Sequence, residues 1–391
     1  MNTKQQTGLV EEILEKIEIS PATYETAVKR YEAMTKWFDR PESELRNFDP
    51  LIYTQGSFRL GTVTRPILDG EHYDLDLVLR LSLSKGLLTQ KELKELVGVE
   101  VKSYSKAQNF KKEPTNGKRC WTQEYTESGN TGFHMDILPA IPDGDEKLLM
   151  EYLEKSGTDR RFAMHAISIT DKESASYENK CSDWPISNPK GFAEWFEEQA
   201  NRSGLVKEAR VEMMAKNADV EEVPLFRLKT PLQKAIQILK RHRDVKFRND
   251  SENKPASIII STLAARAYQG ENDVTQALTR ILSEMGNYVM PDFPRVQNPT
   301  KGDEDFTDRW DKSGHKEQCF WSWLDEAQRD FAHLGTMGKS GLVRALVEEK
   351  FKVNVSSQHL PKTSVAAAAA VGLAPKSIDS GLPPWGEKMN D

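Results

Sequence analysis

The sequence predicts an α+β fold, with strands gathered in its first 140 residues and helices behind them. Three observations predict it. Tyr73 to Leu81 alternates: Tyr73, Leu75, Leu77, Leu79 and Leu81 share one face, and Asp74, Asp76, Val78 and Arg80 share the other. That is the period of a half-buried strand. Gly132 to Ala140 is a second apolar run of strand length, which Pro139 should end. In the second half the apolar residues recur at three and four, as they do on a helix face.

Taken in order, residues 8–19 and 21–39 read as helices. Ser20 followed by Pro21 is a start signal, with proline at the first helical position. Tyr24, Ala27, Tyr31, Met34 and Phe38 then make one apolar stripe. After Asp49-Pro50 the period shortens: Leu51-Ile52-Tyr53 reads as a short strand, which Gly56-Ser57 breaks. Residues 90–108 read as a helix. The stretch 143–225 is polar and irregular, with short helices expected at 190–200 and near 205–216. Thr230-Pro231-Leu232-Gln233 is a capping box with proline at the first position, opening a helix to about Val245. Further helices are expected at 257–268, 272–285, 316–334 and 339–349. From 353 the chain turns Ser/Ala/Pro-rich, with Ala366 to Ala370 in a row, and reads as a tail.

Composition narrows the function. The 391 residues carry 54 Lys+Arg against 60 Asp+Glu, a net charge of -6. An acidic chain is a poor candidate for coating nucleic acid or anionic lipid, since counterion release needs a basic surface. No run of about 18 apolar residues offers a membrane span. The opening residues carry acids where a signal peptide needs a continuous apolar stretch. The 3 cysteines, Cys120, Cys181 and Cys319, are dispersed. That excludes a disulfide scaffold and a cysteine-rich zinc site, and fits a reducing cytosol.

Three elements carry chemistry. Gln55-Gly56-Ser57 closes a short strand, where glycine allows close backbone approach and the following turn offers N–H groups and a hydroxyl to a phosphate. Alone, such a pair is usually only a turn. Asp74 and Asp76 stand side by side on a strand, about 7 Å apart. Two such anions beside a core repel and are costly to bury unless a divalent cation sits between them; an edge strand with a solvated polar face would show the same pattern. Asp136 is an acid in an otherwise apolar strand. Together they match the metal geometry of nucleotidyl transfer, in which carboxylates hold two Mg²⁺ ions that grip triphosphate and attacking hydroxyl.

These residues resemble the DNA polymerase β-type nucleotidyltransferase superfamily. Within it, the chain is similar to the bacterial cGAS/DncV-like nucleotidyltransferases, the cyclic-oligonucleotide synthases of anti-phage defence. The similarity rests on Gln55 to Thr62, Asp74-Leu75-Asp76, and Asp136 followed by Ile137 to Asp143. It extends through Ser187 to Phe192 with Trp195, Leu239 to Asp244, Pro255 to Ile259, and Asn298-Pro299 followed by Glu304 to Phe306 and Trp310. The resemblance spans roughly residues 20–330. It implies a core with a mixed sheet at 1–204, a helical lobe at 205–352 closing over the nucleotides, a long N-terminal helix bracing the two, and a tail at 353–391. It also implies two Mg²⁺ ions, with Mn²⁺ as the alternative, on Asp74, Asp76 and Asp136. Gln55, Gly56 and Ser57 would bind the donor phosphates. The substrates would be ribonucleoside triphosphates such as ATP and GTP. The product would be a cyclic di- or trinucleotide that activates an effector in a bacterial cytoplasm. Linear 2′–5′ synthesis, transfer to RNA or protein, and inactive nucleotide binding are the rival readings. Some members are joined through their C-terminal residue to partners by a ubiquitin-transfer-like apparatus. The ending Glu387 to Asp391 departs from a Gly or Ala terminus, which leaves that partner without support.

The basic helix can be read on its own. Leu232, Ala235, Ile236 and Leu239 make one apolar face, with Lys234 opposite and expected in solvent. Lys240 lies at the border, where a lysine can bury its stem and aim its ammonium into a cleft. It is the expected triphosphate ligand, with Arg243 as the alternative. Ser257 is placed either to bind phosphate or simply to start a helix. His134 and His72 read as packing or supporting residues rather than ligands. Trp121, Tyr125, Trp184 and Trp195 read as core or lid residues, and His315 with Cys319 as a chance pair.

Overall fold

The computed structural model describes residues 1–68, 70–126, 132–144, 159–204, 228–310 and 314–361. The helix expected at 205–216 and most of the tail lie outside the described residues. Two helices open the chain: α1 (Thr3–Ile17) and α2 (Pro21–Phe38), the latter capped by Ser20 with Pro21 inside its first turn. Strand β1 (Leu51–Thr54), the short helix α3 (Gly56–Leu60) and strand β2 (Tyr73–Arg80) follow. Helix α4 (Gln90–Ala107), with a Thr89–Glu92 capping box, leads to β3 (Thr115–Asn116), β4 (Trp121–Tyr125) and β5 (Phe133–Pro142).

The sheet order is β1-β2-β5-β4-β3. β2 and β5 run parallel and their flanking pairs antiparallel, so the sheet is mixed. Strand β5 continues through Pro139 to Pro142, past the expected stop. The reason is local. Leu81 N–H donates to the Ala140 carbonyl on the β2 side, so the odd residue Pro139 points its missing N–H the other way. On that side β4 pairs only as far as Ile137, and the next strand joins only at Ala140. That next strand is β6 (Ile167–Ile169), reached past α5 (Arg160–Ala163) and paired in turn with β7 (Ile186–Ser187).

The leucine face of β2 is buried against α2 and α4. Leu75, Leu77, Leu79 and Leu81 pack with Ala27, Met34, Phe38, Leu93, Val97 and Val101. The opposite face is divided. Its far end is covered, where Val78 packs with Leu138, Ala140, Ile167 and Ile169; its near end, carrying Asp74 and Asp76, faces a cleft.

A second core is helical. It joins α6 (Pro189–Ala200), α7 (Pro231–Lys246), α8 (Ser257–Ala267), α9 (Val274–Glu284), α10 (His315–Thr336) and α11 (Ser340–Phe351). Between α9 and α10 lies the hairpin of β8 (Gln297–Asn298) and β9 (Lys301–Asp305). The two N-terminal helices part company here: α1 puts Leu9, Val10, Ile13, Leu14 and Ile17 into the helical core, while α2 serves the sheet. Helix α6 also buries Phe192, Ala193 and Phe196 in the helical core.

Candidate active site

Adjacent rows across the sheet build the floor. The register sets Asp76 of β2 beside Asp136 of β5, and Asp136 beside Thr122 of β4. Thr122 donates its hydroxyl hydrogen to Asp136 Oδ1. Two residues along, the row reads Asp74, His134, Glu124. Side chains two apart on a strand share a face, so Asp74, Asp76, Glu124, His134 and Asp136 look into one cleft of about 1020 Å³.

Asp76 and Asp136 repel. The Asp76 carboxyl is pushed up to about 7, first by burial and then by the charges of Asp136 and Asp74, with Lys240 pulling the other way. Three carboxyl groups in one corner, only partly offset by Lys240 and His134, offer the oxygen donors that suit a hard divalent cation such as Mg²⁺. The donor type of Asp74, Asp76 and Asp136 therefore fits such an ion.

The Gly56-Ser57 turn is pressed onto this corner. Gln55 N–H donates to the Asp76 carbonyl at 2.8 Å. Gly56 has φ +63°, and a Cβ there would lie 2.2 Å from Asp76 Oδ2. Both facts require glycine at 56. Ser57 lines the same cleft at the start of α3, while Gln55 lines a smaller adjoining one of about 260 Å³ with Asn188, Asn298, Glu304 and Phe306. Asn188 caps α6 and donates Nδ2 to the Phe162 and Thr300 carbonyls, which ties that wall together.

The roof is α7. Its polar side chains donate to carbonyls between the end of α3 and Arg65: Gln233 to Leu60, Gln237 to Val63, Lys240 to Thr62 and Arg241 to Arg65, at 2.5 to 3.0 Å. Lys240 thus lies in the cleft wall, 6% exposed, with its ammonium drawn down to about 8 by burial and by Arg243. Arg243 also lines the cleft, but it already makes four hydrogen bonds: two to Asp244 Oδ1, one to the Pro255 carbonyl and one to Ser257 Oγ. It braces the start of α8, whose N-cap is Ala256, and holds Ser257 at the cleft. Lys234 is only partly in solvent: its side chain is 32% exposed, and its ammonium pairs with Glu11 of α1 at 2.9 Å. Trp121, Tyr125 and Trp184 are buried in the sheet core and line neither cleft.

Sequence reasoning missed several groups here. Lys254, Arg65 and Lys112 also face the cleft. Nothing in their local sequence marks them. Thr122, which holds Asp136, could have been found only by recognising β4, whose buried face of Trp121, Gln123 and Tyr125 is short and has polar Gln123 in its middle.

Lysine-to-methionine replacement at 240 separates two roles. Lys240→Met removes one ammonium but keeps the length of the stem. On the expectation that this ammonium meets a triphosphate, its loss should raise KM for that ligand by roughly tenfold or more. The melting temperature should fall only slightly, because the bond lost to the Thr62 carbonyl is offset in part by no longer burying an ammonium. Steady-state kinetics with a melting curve checks both.

A mixed sheet bearing a side-by-side acid pair, with a Gly-Ser turn against it and a helical lobe over it, defines the nucleotidyltransferase class. Residues 50–139 match the family described as "Cyclic GMP-AMP synthase DncV-like, nucleotidyltransferase domain". The chain is 28% identical over 308 residues to a c-di-GMP synthase of Roseivirga ehrenbergii, covering 78% of this chain and 73% of that one. It is 26% identical over 323 residues to the cyclic dinucleotide synthase CdnG of Bradyrhizobium diazoefficiens, covering 78% and 70%. The solved structure of that CdnG in complex with GTP superposes with TM-score 0.65 at 21% identity, over 88% of this chain and 95% of that one. The Vibrio cholerae di-nucleotide cyclase DncV in complex with GTP and 5MTHFGLU2 gives 0.54 at 16%, over 90% and 88%. Over its nucleotidyltransferase domain and across most of its length, the chain is similar to the cGAS/DncV-like nucleotidyltransferases. Among the described residues no helix is long and apolar enough to cross a membrane.

Proposed function

We propose that this enzyme joins ribonucleoside triphosphates into a small cyclic di- or trinucleotide, releasing pyrophosphate at each bond formed, and that the product activates an effector in anti-phage defence. The observation that carries the reading is the pairing of Asp76 with Asp136 across parallel strands, with Gly56-Ser57 pressed onto Asp76. The cleft supports it. Its volume of about 1020 Å³ stands at the top of the roughly 300–1,000 Å³ usual for one ligand, which leaves room for a donor and an acceptor nucleotide. Relatives named for c-di-GMP and cyclic dinucleotide synthesis make GTP the first substrate to try.

In this reading Asp74, Asp76 and Asp136 hold two Mg²⁺ ions. Bound there, the ions would neutralise the charge developing on the transferred phosphoryl group and lower the pKa of the acceptor ribose hydroxyl. The chain's own residues do the rest. Ser57 and the N–H groups after Gly56 bind the donor phosphates, and Lys240 adds a positive charge from the roof. Thr122 fixes the carboxylate of Asp136, which takes the proton of the attacking hydroxyl. Arg243 keeps Ser257 in place. Such transfer is mostly positioning and charge neutralisation.

The test is a product assay. The full chain is incubated with each NTP alone and with all four together, in Mg²⁺, and the products are read by mass spectrometry after phosphatase treatment. A phosphatase-resistant cyclic product is expected. Only linear or RNA-linked products would refute cyclisation, and NTP binding without turnover would refute the enzymatic reading.

A further inference from the structure

The second row of the sheet floor has its own chemistry. His72 Nδ1 and His134 Nε2 face each other at 2.8 Å, with their rings at 76°. Two imidazole nitrogens can face so closely only across a shared proton or a shared cation. The third member is Glu124, the cross-strand neighbour of His134. One ligand atom from each of the three lies within 4.8 Å of the others. Two nitrogens on one zinc-class ion, each at about 2.0–2.1 Å, stand roughly 3 Å apart, so the rings are already near that spacing.

Both rings are held from behind. His72 lies against Gly132, where a Cβ would come within 3.1 Å of its Nε2, so the free edge of the ring is turned to His134. His134 points its other nitrogen, Nδ1, at Asp74 Oδ1, 3.6 Å away. A carboxylate behind a ligating histidine fixes the tautomer and raises its basicity. Lys112 now pairs with both oxygens of Glu124, at 2.7 and 2.8 Å. It is 64% exposed, and an exposed ion pair is weak and easily exchanged.

We propose that His72, Glu124 and His134 form a site for a transition-metal dication of the zinc class, beside the Asp76–Asp136 pair of the neighbouring row and with Asp74 standing between the two. The two rows sort cations by donor type. Carboxylate oxygens in the first suit Mg²⁺, and paired imidazoles in the second suit Zn²⁺, Co²⁺ or Ni²⁺. The other histidine–carboxylate group of the described residues, His242 with Glu326 and Asp330, differs. It is closed around half-buried Lys246 and Lys350, which already neutralise its acids.

The test titrates chelator-treated full-length protein with Co²⁺, and then with Zn²⁺ against a chromogenic chelator, in a large excess of Mg²⁺. One equivalent should bind, with a visible Co²⁺ absorption band that Mg²⁺ does not abolish. His72→Gln and Glu124→Gln should each weaken it at least about tenfold. Lys112→Ala should tighten it, a gain that misfolding cannot produce. Asp76→Asn and Asp136→Asn should leave it within about twofold. Three results would overturn the proposal: no bound equivalent, one that Mg²⁺ displaces, or one lost in Asp76→Asn but kept in His72→Gln.

Discussion

Asp76→Asn is expected to lower the rate of product formation by roughly 10³-fold or more, because an amide is a poor Mg²⁺ ligand and leaves transition-state charge uncompensated. The same substitution should not weaken the fold. Asp76 sits between Asp136 and Asp74, with its folded pKa pushed up to about 7 from an unfolded value of about 4. An acid whose folded pKa is raised costs stability as pH rises through the window between those values, since the unfolded chain gives up its proton first. The metal-free parent should therefore melt lower at pH 8 than at pH 5.5 on account of this group. Asp76→Asn should flatten that difference, and Mg²⁺ should raise the parent's melting temperature at pH 8 but not the variant's. Pairing a rate assay with melts at the two pH values distinguishes a lost ligand from a damaged fold. A variant that lost activity because it unfolded would melt lower everywhere.

Gly56→Ala is expected to be nearly as damaging, for a different reason. The residue has φ +63°, which costs a Cβ-bearing residue about 1–2 kcal/mol. The added methyl would also meet Asp76 Oδ2 at 2.2 Å. Either the turn lifts off or the carboxylate swings away, and a displacement of about 1 Å at a reacting centre can cost about 10²-fold in rate. Gly61→Ala is the control. Its φ of +66° brings the same backbone strain, but its methyl would meet the Gln233 amide, which bonds the Leu60 carbonyl, and no acid of the cleft. It should lose similar stability and far less activity. Kinetics and melting curves on the two variants decide whether the contact with Asp76 or the strain matters.

The sequence showed most of this site because its elements have clean local signals. The five-residue alternation from Tyr73 to Leu81 placed both acids on one face, and the Thr230-to-Gln233 box started α7 where the structure starts it. What stayed hidden depends on contacts between distant segments. No local pattern says that Arg243 would turn to Asp244 and Ser257, or that Lys234 would meet Glu11. Nor does any pattern show that four donors on α7 would grip the carbonyls of residues 60–65, which joins the helical lobe to the segment that follows the Gly56-Ser57 turn. Strands of two or three residues, such as β6 and β7, are too short to show a period at all. Histidine 72 precedes the acid pair in sequence, yet its partner His134 comes from a strand 62 residues away.

The central claim is that Asp74, Asp76 and Asp136 together hold the ions of the reaction. Anomalous diffraction from crystals of the full chain grown with Mn²⁺ and a non-hydrolysable GTP analogue tests it most directly. The account predicts two manganese peaks bounded by these three carboxylates, with phosphate oxygens completing their shells. Nucleotide bound in the cleft with no peak at the three acids, or with peaks only elsewhere, would contradict it.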